Sequence, residues 1–289
     1  MMLTLFKKIY DEISIRIIKL QPSKYRKFIF DELNNYFCVD ISRIIIYYYE
    51  GYDTENLINE YNINIEKQIN RMFIYENEMY FSCSDYTTYV YKKNYVQEES
   101  CYFHNYENNL LYSFTGSEVY IHDIITKDLS YQFYYDEIRH IYIYKDTVYI
   151  LNSVDVIKSY NRYNGMYKKI FDFGTKKCID FYIFDDIFYV ICDLCINLYQ
   201  LEDLKYLSCI TLEKFDIKKD QSISIFVDEK YIYLNTGEKF LLINKINKML
   251  FKMIYLEKNN QNLGFVIKDE KLYISSNKKL LIYNLLNIR

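Results

Sequence analysis

Residues Phe181 to Gln200 read "FYIFDDIFYVICDLCINLYQ". Two readings compete for this stretch. The Cys192-x-x-Cys195 spacing suits a metal or redox centre. The same letters also form apolar runs separated by two short turns, Asp185-Asp186 and Asp193-Leu194. The rest of the chain decides between them, because the layout recurs. It returns in "HIYIYKDTVYILNSVDVIKSYN" (His140 to Asn161), "ISIFVDEKYIYLNTGEKFLLIN" (Ile223 to Asn244) and "GFVIKDEKLYISSNKKLLIYN" (Gly264 to Asn284). Looser copies start at Tyr25, Arg71 and Cys101. The sister copies carry Ser153-Val154-Asp155 or Thr236-Gly237-Glu238 where this one has its thiol-flanked turn, so the cysteines read as hairpin residues.

The second run of each copy supplies an anchor: Phe37, Tyr80, Leu111, Tyr149, Tyr189, Ile232 and Tyr273. The third run ends at Tyr49, Tyr91, His122, Tyr160, Tyr199, Ile243 and Tyr283. A fourth apolar stretch follows most copies, as in "SYQFYY" from Ser130 and "YLSCITL" from Tyr206. Four short strands at a period of about 40 residues are the signature of a propeller blade. The runs are nearly continuous in apolar character because a blade buries both faces against its neighbours. The pattern predicts an all-β chain, a seven-bladed β-propeller forming one domain over 1–289. Its blades span about 25–69, 70–98, 101–136, 139–173, 179–213, 222–256 and 263–289. The last unit has no room for a fourth strand. The β-branched segment Glu12–Leu20, "EISIRIIKL", is the predicted outer strand that closes the ring, with an amphipathic N-terminal helix as the competing reading. An open edge would otherwise invite aggregation.

Composition agrees with strands. The chain has no Ala and no Trp, one Pro, and 19% aromatic residues, mostly Tyr. Ala is the best helix former, whereas Ile, Tyr, Phe and Val favour sheet. The scarcity of residues with GC-rich codons fits an AT-rich genome, which erodes motifs that depend on Trp or Gly. A net charge of −3 gives no global attraction to nucleic acid or anionic membrane. No apolar run approaches the length of a membrane span, and the first residues lack the features of a signal peptide. Seven scattered cysteines suit a reducing, intracellular compartment, cytoplasmic or nuclear.

At this point the pattern resembles the WD40-repeat-like propellers. The third-strand ends His122-Asp123, Tyr160-Asn161, Tyr199-Gln200, Ile243-Asn244 and Tyr283-Asn284 stand where that superfamily carries Trp-Asp. No Trp-Asp survives, and the Gly-His pair expected before the first strand is missing. The resemblance covers nearly the whole chain and implies a non-catalytic protein–protein interaction scaffold, a subunit of a larger assembly whose partners are other proteins.

The candidate chemistry is sparse. Cys178 and Cys209 fall in the same unit as the Cys pair, so a four-thiol site is conceivable there. His104, His122 and His140 fall at different phases of the repeat, which speaks against a shared metal. There is no nucleophile elbow or phosphate-binding glycine loop. The first turns gather acids, including Asp146, Asp185, Asp186, Asp228, Glu229, Asp269 and Glu270, but lysines such as Lys168, Lys205 and Lys245 share that face. Asp and Asn there replace Gly in tight turns. On the opposite face, Lys176, Lys177, Lys214, Phe215, Lys218 and Lys219 form a candidate partner-binding sector, for protein or, as an alternative, for RNA in a ribonucleoprotein. A propeller enzyme or small-ligand binder is the remaining alternative. The innermost runs hold few carboxylates, which disfavours an active site in the channel. We expect no catalytic residues, no cofactor and no metal.

Overall fold

The computed structural model describes Leu33 and residues 57–285, except 76–77, 86, 93–94, 100–104, 108–109, 116–117, 124–128, 135–137, 174–176, 219–220, 257–262 and 277. Six four-stranded antiparallel sheets account for all the strands of the described residues. Their arrangement is that of a β-propeller; five sheets are built of consecutive hairpins, and the sixth, called blade VI, takes one strand from elsewhere. In chain order blades I to V span 69–99, 105–134, 138–171, 178–211 and 224–255, and blade VI comprises 265–284 with one strand from elsewhere. Five are regular. Blade II is the frayed one, with a first strand of only three residues, Asn105–Glu107.

The first strands of blades I and II, III and IV, and IV and V approach one another, and the first strand of blade VI meets that of blade I. Apolar clusters fill the gaps between blades. Tyr189, Ile191 and Leu198 of blade IV pack with Ile225, Ile232 and Leu241 of blade V. Ile69, Met72 and Phe81 of blade I pack with Leu280 and Ile282 of blade VI. The anchors Tyr80, Tyr149, Tyr189 and Ile232 are all buried in these layers, as their apolar letters foretold. Burial of such side chains at roughly 25 cal/mol per Å² of apolar surface is the main term holding neighbouring blades together.

Two expectations fail. The described residues form six sheets, not seven. The copy at 25–49 lies outside the described residues apart from Leu33, which is helical and fully buried. The outer strand of blade VI is Leu57–Asn62, paired antiparallel with Lys279–Asn284 (Glu60 opposite Leu281, Tyr61 opposite Leu280). Glu12–Leu20, expected in that place, lies outside the described residues, and the place is taken. The reason is local. Leu57–Asn62 is directly followed by the buried Ile63 and Ile65, which carry the chain inward to the first strand of blade I at Ile69.

The turns behave as their composition suggests. Asp185 and Asp186 both have positive φ (52° and 55°), as do Asp269 and Glu270 (49° and 59°). Two-residue hairpins need this mirror-image turn because it matches the twist of the strands. Between third and fourth strands, the N–H groups of Gly165, Leu204 and Lys248 donate to the carbonyls of Asn161, Gln200 and Asn244. Each closes its turn in the left-handed region, with φ of 66°, 57° and 57°.

Candidate functional site

Arg71, His140 and Asp180 stand at one and the same position of the repeat. Each lies two residues before the one that faces its blade's anchor, in the pairs Phe73–Tyr80, Tyr142–Tyr149 and Tyr182–Tyr189. Each also follows a break in strand register, between Ile69 and Arg71, Ile138 and His140, and Cys178 and Asp180. A β-bulge bends the strand and re-aims the next side chain. Three bulges at one phase thus bring polar groups from blades I, III and IV together at the axis.

Arg71 Nη2 donates to both Asp180 oxygens, at 2.8 and 2.9 Å. It also lies 3.1 and 3.2 Å from the two ring nitrogens of His140. Blade V contributes through its backbone: Ile225 N–H donates to Asp180 Oδ2 at 3.1 Å. His140 Nε2 is 3.5 Å from Asp180 Oδ1, and its ring meets the Phe181 ring edge-on at 5.2 Å. Blade VI reaches the axis layer with Gly264, where a Cβ would fall 2.6 Å from Ile69 Cγ2 and 2.9 Å from Met72 Cγ. The missing side chain is what lets blade VI approach blade I so closely.

Asp180 is buried, and burial pushes its carboxyl above the ordinary range, against the pull of the Arg71 charge. The carboxylate is tied to guanidinium more closely than to imidazole, so the cluster has the form of a brace and not of an acid–base relay. It divides the axial channel. On one side is a polar mouth of about 360 Å³, bordered by Asn70, Arg71, Arg139, His140, Ser222 and Ser224 among others. On the other is a compartment of about 320 Å³ walled by Phe73, Tyr142, Tyr182, Phe226 and Phe265.

The residues singled out from sequence are placed as follows. Cys192 pairs with Cys178 on one side and with Cys195 across the Asp193-Leu194 turn on the other, all within blade IV. Contact with Cys192, and then burial, push the Cys178 thiol well up, which keeps it from the reactive thiolate form. Cys195 is half-buried and Cys209 exposed. His122 ends a third strand beside Tyr120, far in phase from His140, and His104 lies outside the described residues. On the acid-rich face, Lys145 pairs with Asp186 at 2.7 Å, and Lys245 Nζ donates to the backbone carbonyl of Asp228, so lysines interleave with the acids there.

In the lysine sector, Lys177, Lys214 and Lys218 are exposed, while Lys176 and Lys219 lie outside the described residues. Phe215 is a correction to that sector: it is buried in the blade IV–V layer, with the Lys214 ammonium 4.8 Å over its ring. A short helical turn at Glu213–Phe215 rolls it inward. The channel cluster escapes a reading of the inner runs that follows their apolar letters alone. A polar residue at a constant phase before three anchors was the available signal.

No protein-family model matches the chain. No curated protein matches it in sequence. Among similar solved structures is the crystal structure of the computationally designed Ika8 protein, 12% identical with a TM-score of 0.48, covering 75% of this chain and 70% of that one. No helix of the described residues is long and apolar enough to cross a membrane.

Proposed function

We propose that this propeller is a non-catalytic interaction platform that docks other proteins as part of a larger assembly. One observation carries the reading: the outer strands of three consecutive blades, with the residues that lead into them, present large apolar side chains to solvent. Blade III exposes Met166 (65%) and Tyr167 (55%), blade IV Tyr206 (53%) and Leu207 (43%), and blade V Met249 (64%) and Phe251 (46%). They cluster at the start of each fourth strand, around Tyr167, Tyr206 and Leu250, which face Tyr160, Tyr199 and Ile243 on the third strands. Large exposed apolar side chains that recur in this way mark contact with another macromolecule more often than they mark idle surface. Aromatic anchors are the usual centres of such contacts. The WD40-like character of the repeat belongs to the same proposal. Asn161 and Asn244 stand at the position of that family's Asp, and their side-chain oxygens accept the N–H groups of the following turn.

The test is purification of the native protein from lysate beside a variant carrying Tyr167→Lys, Tyr206→Lys and Phe251→Lys. The expected result is a stoichiometric co-purifying protein that is lost from the variant while melting is unchanged. A wild-type protein that elutes alone as a monomer overturns the proposal.

A further inference from the structure

We propose that the polar mouth of the channel seats a carboxylate of an acidic peptide, gripped by Arg71 and Arg139. This rests on the interaction reading and names the chemistry of a partner for a second surface. Two guanidinium groups and one carboxylate line the mouth, and a second carboxylate, Asp155, pairs with Arg139 beside it, so what the mouth has in excess is N–H donors and not net charge. The lining carboxylate, Asp180, has 4% of its side chain exposed and is occupied by Arg71 Nη2 and the Ile225 N–H. Donors therefore remain in excess. All the contacts of Arg71 run through Nη2; its Nε and Nη1 have no partner among the described residues, and 23% of the side chain is accessible. Arg139 sits on the bulge of blade III, held by Asp155 through Nη1 and by the Ile179 carbonyl through Nη2. Asp180 fixes the guanidinium of Arg71 before any ligand arrives, and a pre-organised Arg fork suits a planar two-oxygen anion.

A cation is disfavoured by the same two arginines. A bulky apolar group belongs in the aromatic compartment beyond the brace. A recessed cavity of about 360 Å³ admits a carboxylate on a flexible side chain more readily than a continuous phosphodiester backbone. The lysine sector fits this picture. The segment that carries the exposed Lys214 and Lys218 continues into Ser222 and Ile223, which border the mouth. Lysines at the approach steer acidic chains by long-range attraction. The acids Asp85, Asp155 and Asp216 are already paired with Lys67, Arg139 and Lys239.

The experiment is an anisotropy titration of the full chain with fluorescein-labelled hexaglutamate, with labelled hexalysine and labelled hexauridylate in parallel. The expected result is saturable one-site binding of hexaglutamate, weakened roughly tenfold by Arg139→Gln, the scale of one charge-assisted contact. Arg71→Gln leaves Asp180 buried without its partner and risks unfolding. Arg139→Gln, on a partly exposed side chain, therefore carries the test, with melting as its control. Absence of saturable binding, equal binding of hexalysine, or unchanged affinity in Arg139→Gln overturns the inference. So does hexauridylate binding tighter than hexaglutamate and depending on Arg139. The rim variant keeps the two proposals apart: loss of hexaglutamate binding with rim-dependent association intact sinks this inference alone.

Discussion

At the residue scale, one buried carboxylate dominates. Asp180 is ionised at neutral pH only at a cost, because burial outweighs the favourable field of Arg71. Its folded-state pKa lies above the unfolded reference of about 3.9. The folded protein therefore holds this proton to higher pH than the unfolded chain does. The cost is fully present above the folded value and disappears as pH falls to the unfolded value. Asp180→Asn removes the titration. Wild type should therefore gain on the Asp180→Asn variant in unfolding free energy as pH drops from about 7 toward 4, measured by urea melts at each pH. A difference that does not change with pH counts against the reading. Arg71, His140 and Asp180 were visible as letters but not as a cluster. Their constant phase is in the sequence, whereas their meeting requires the blades to be arranged around one axis.

At the element scale, the repeated turns are the informative units. Leu204 and Lys248 occupy the left-handed corner that Gly165 fills without strain. Left-handed backbone costs an ordinary residue about 1–2 kcal/mol, and part of that is regained by Gly after its extra unfolded-state entropy is counted. Lys248→Gly should therefore raise stability by up to about 1 kcal/mol, seen as a higher urea midpoint at unchanged slope. A lower midpoint would show that the Lys248 side chain contributes more than its backbone costs. The hairpin turns were legible from composition: Asp185-Asp186 and Asp269-Glu270 do the work usually given to Asn-Gly. The bulges were not legible, because a register slip leaves no letter of its own. It arises from how two strands accommodate each other.

At the scale of the molecule, the two ends of the described chain meet in one sheet. Leu57–Asn62 completes blade VI and then leads straight into blade I. A chain beginning at residue 63 should expose the edge formed by Lys279–Asn284. It should aggregate, or lose amide protection throughout blade VI, relative to a chain beginning at residue 57. Equal solubility and equal protection in the two chains would show that this strand is dispensable. Periodicity counts copies of a pattern, but only strand pairing decides which segment completes a sheet.

The sequence by itself determined that the chain is built of short strands in a repeating four-strand unit, that the anchors Tyr80, Tyr149, Tyr189 and Ile232 are buried, and that Cys192 and Cys195 flank a hairpin turn. These properties are local, fixed by side-chain alternation and turn chemistry within about 40 residues. Tertiary structure alone decided the number of sheets, the strand that completes the last one, the inward roll of Phe215, and the union of Arg71, His140 and Asp180. Each depends on contacts between residues far apart in the chain, which burial and packing select and which no local pattern encodes.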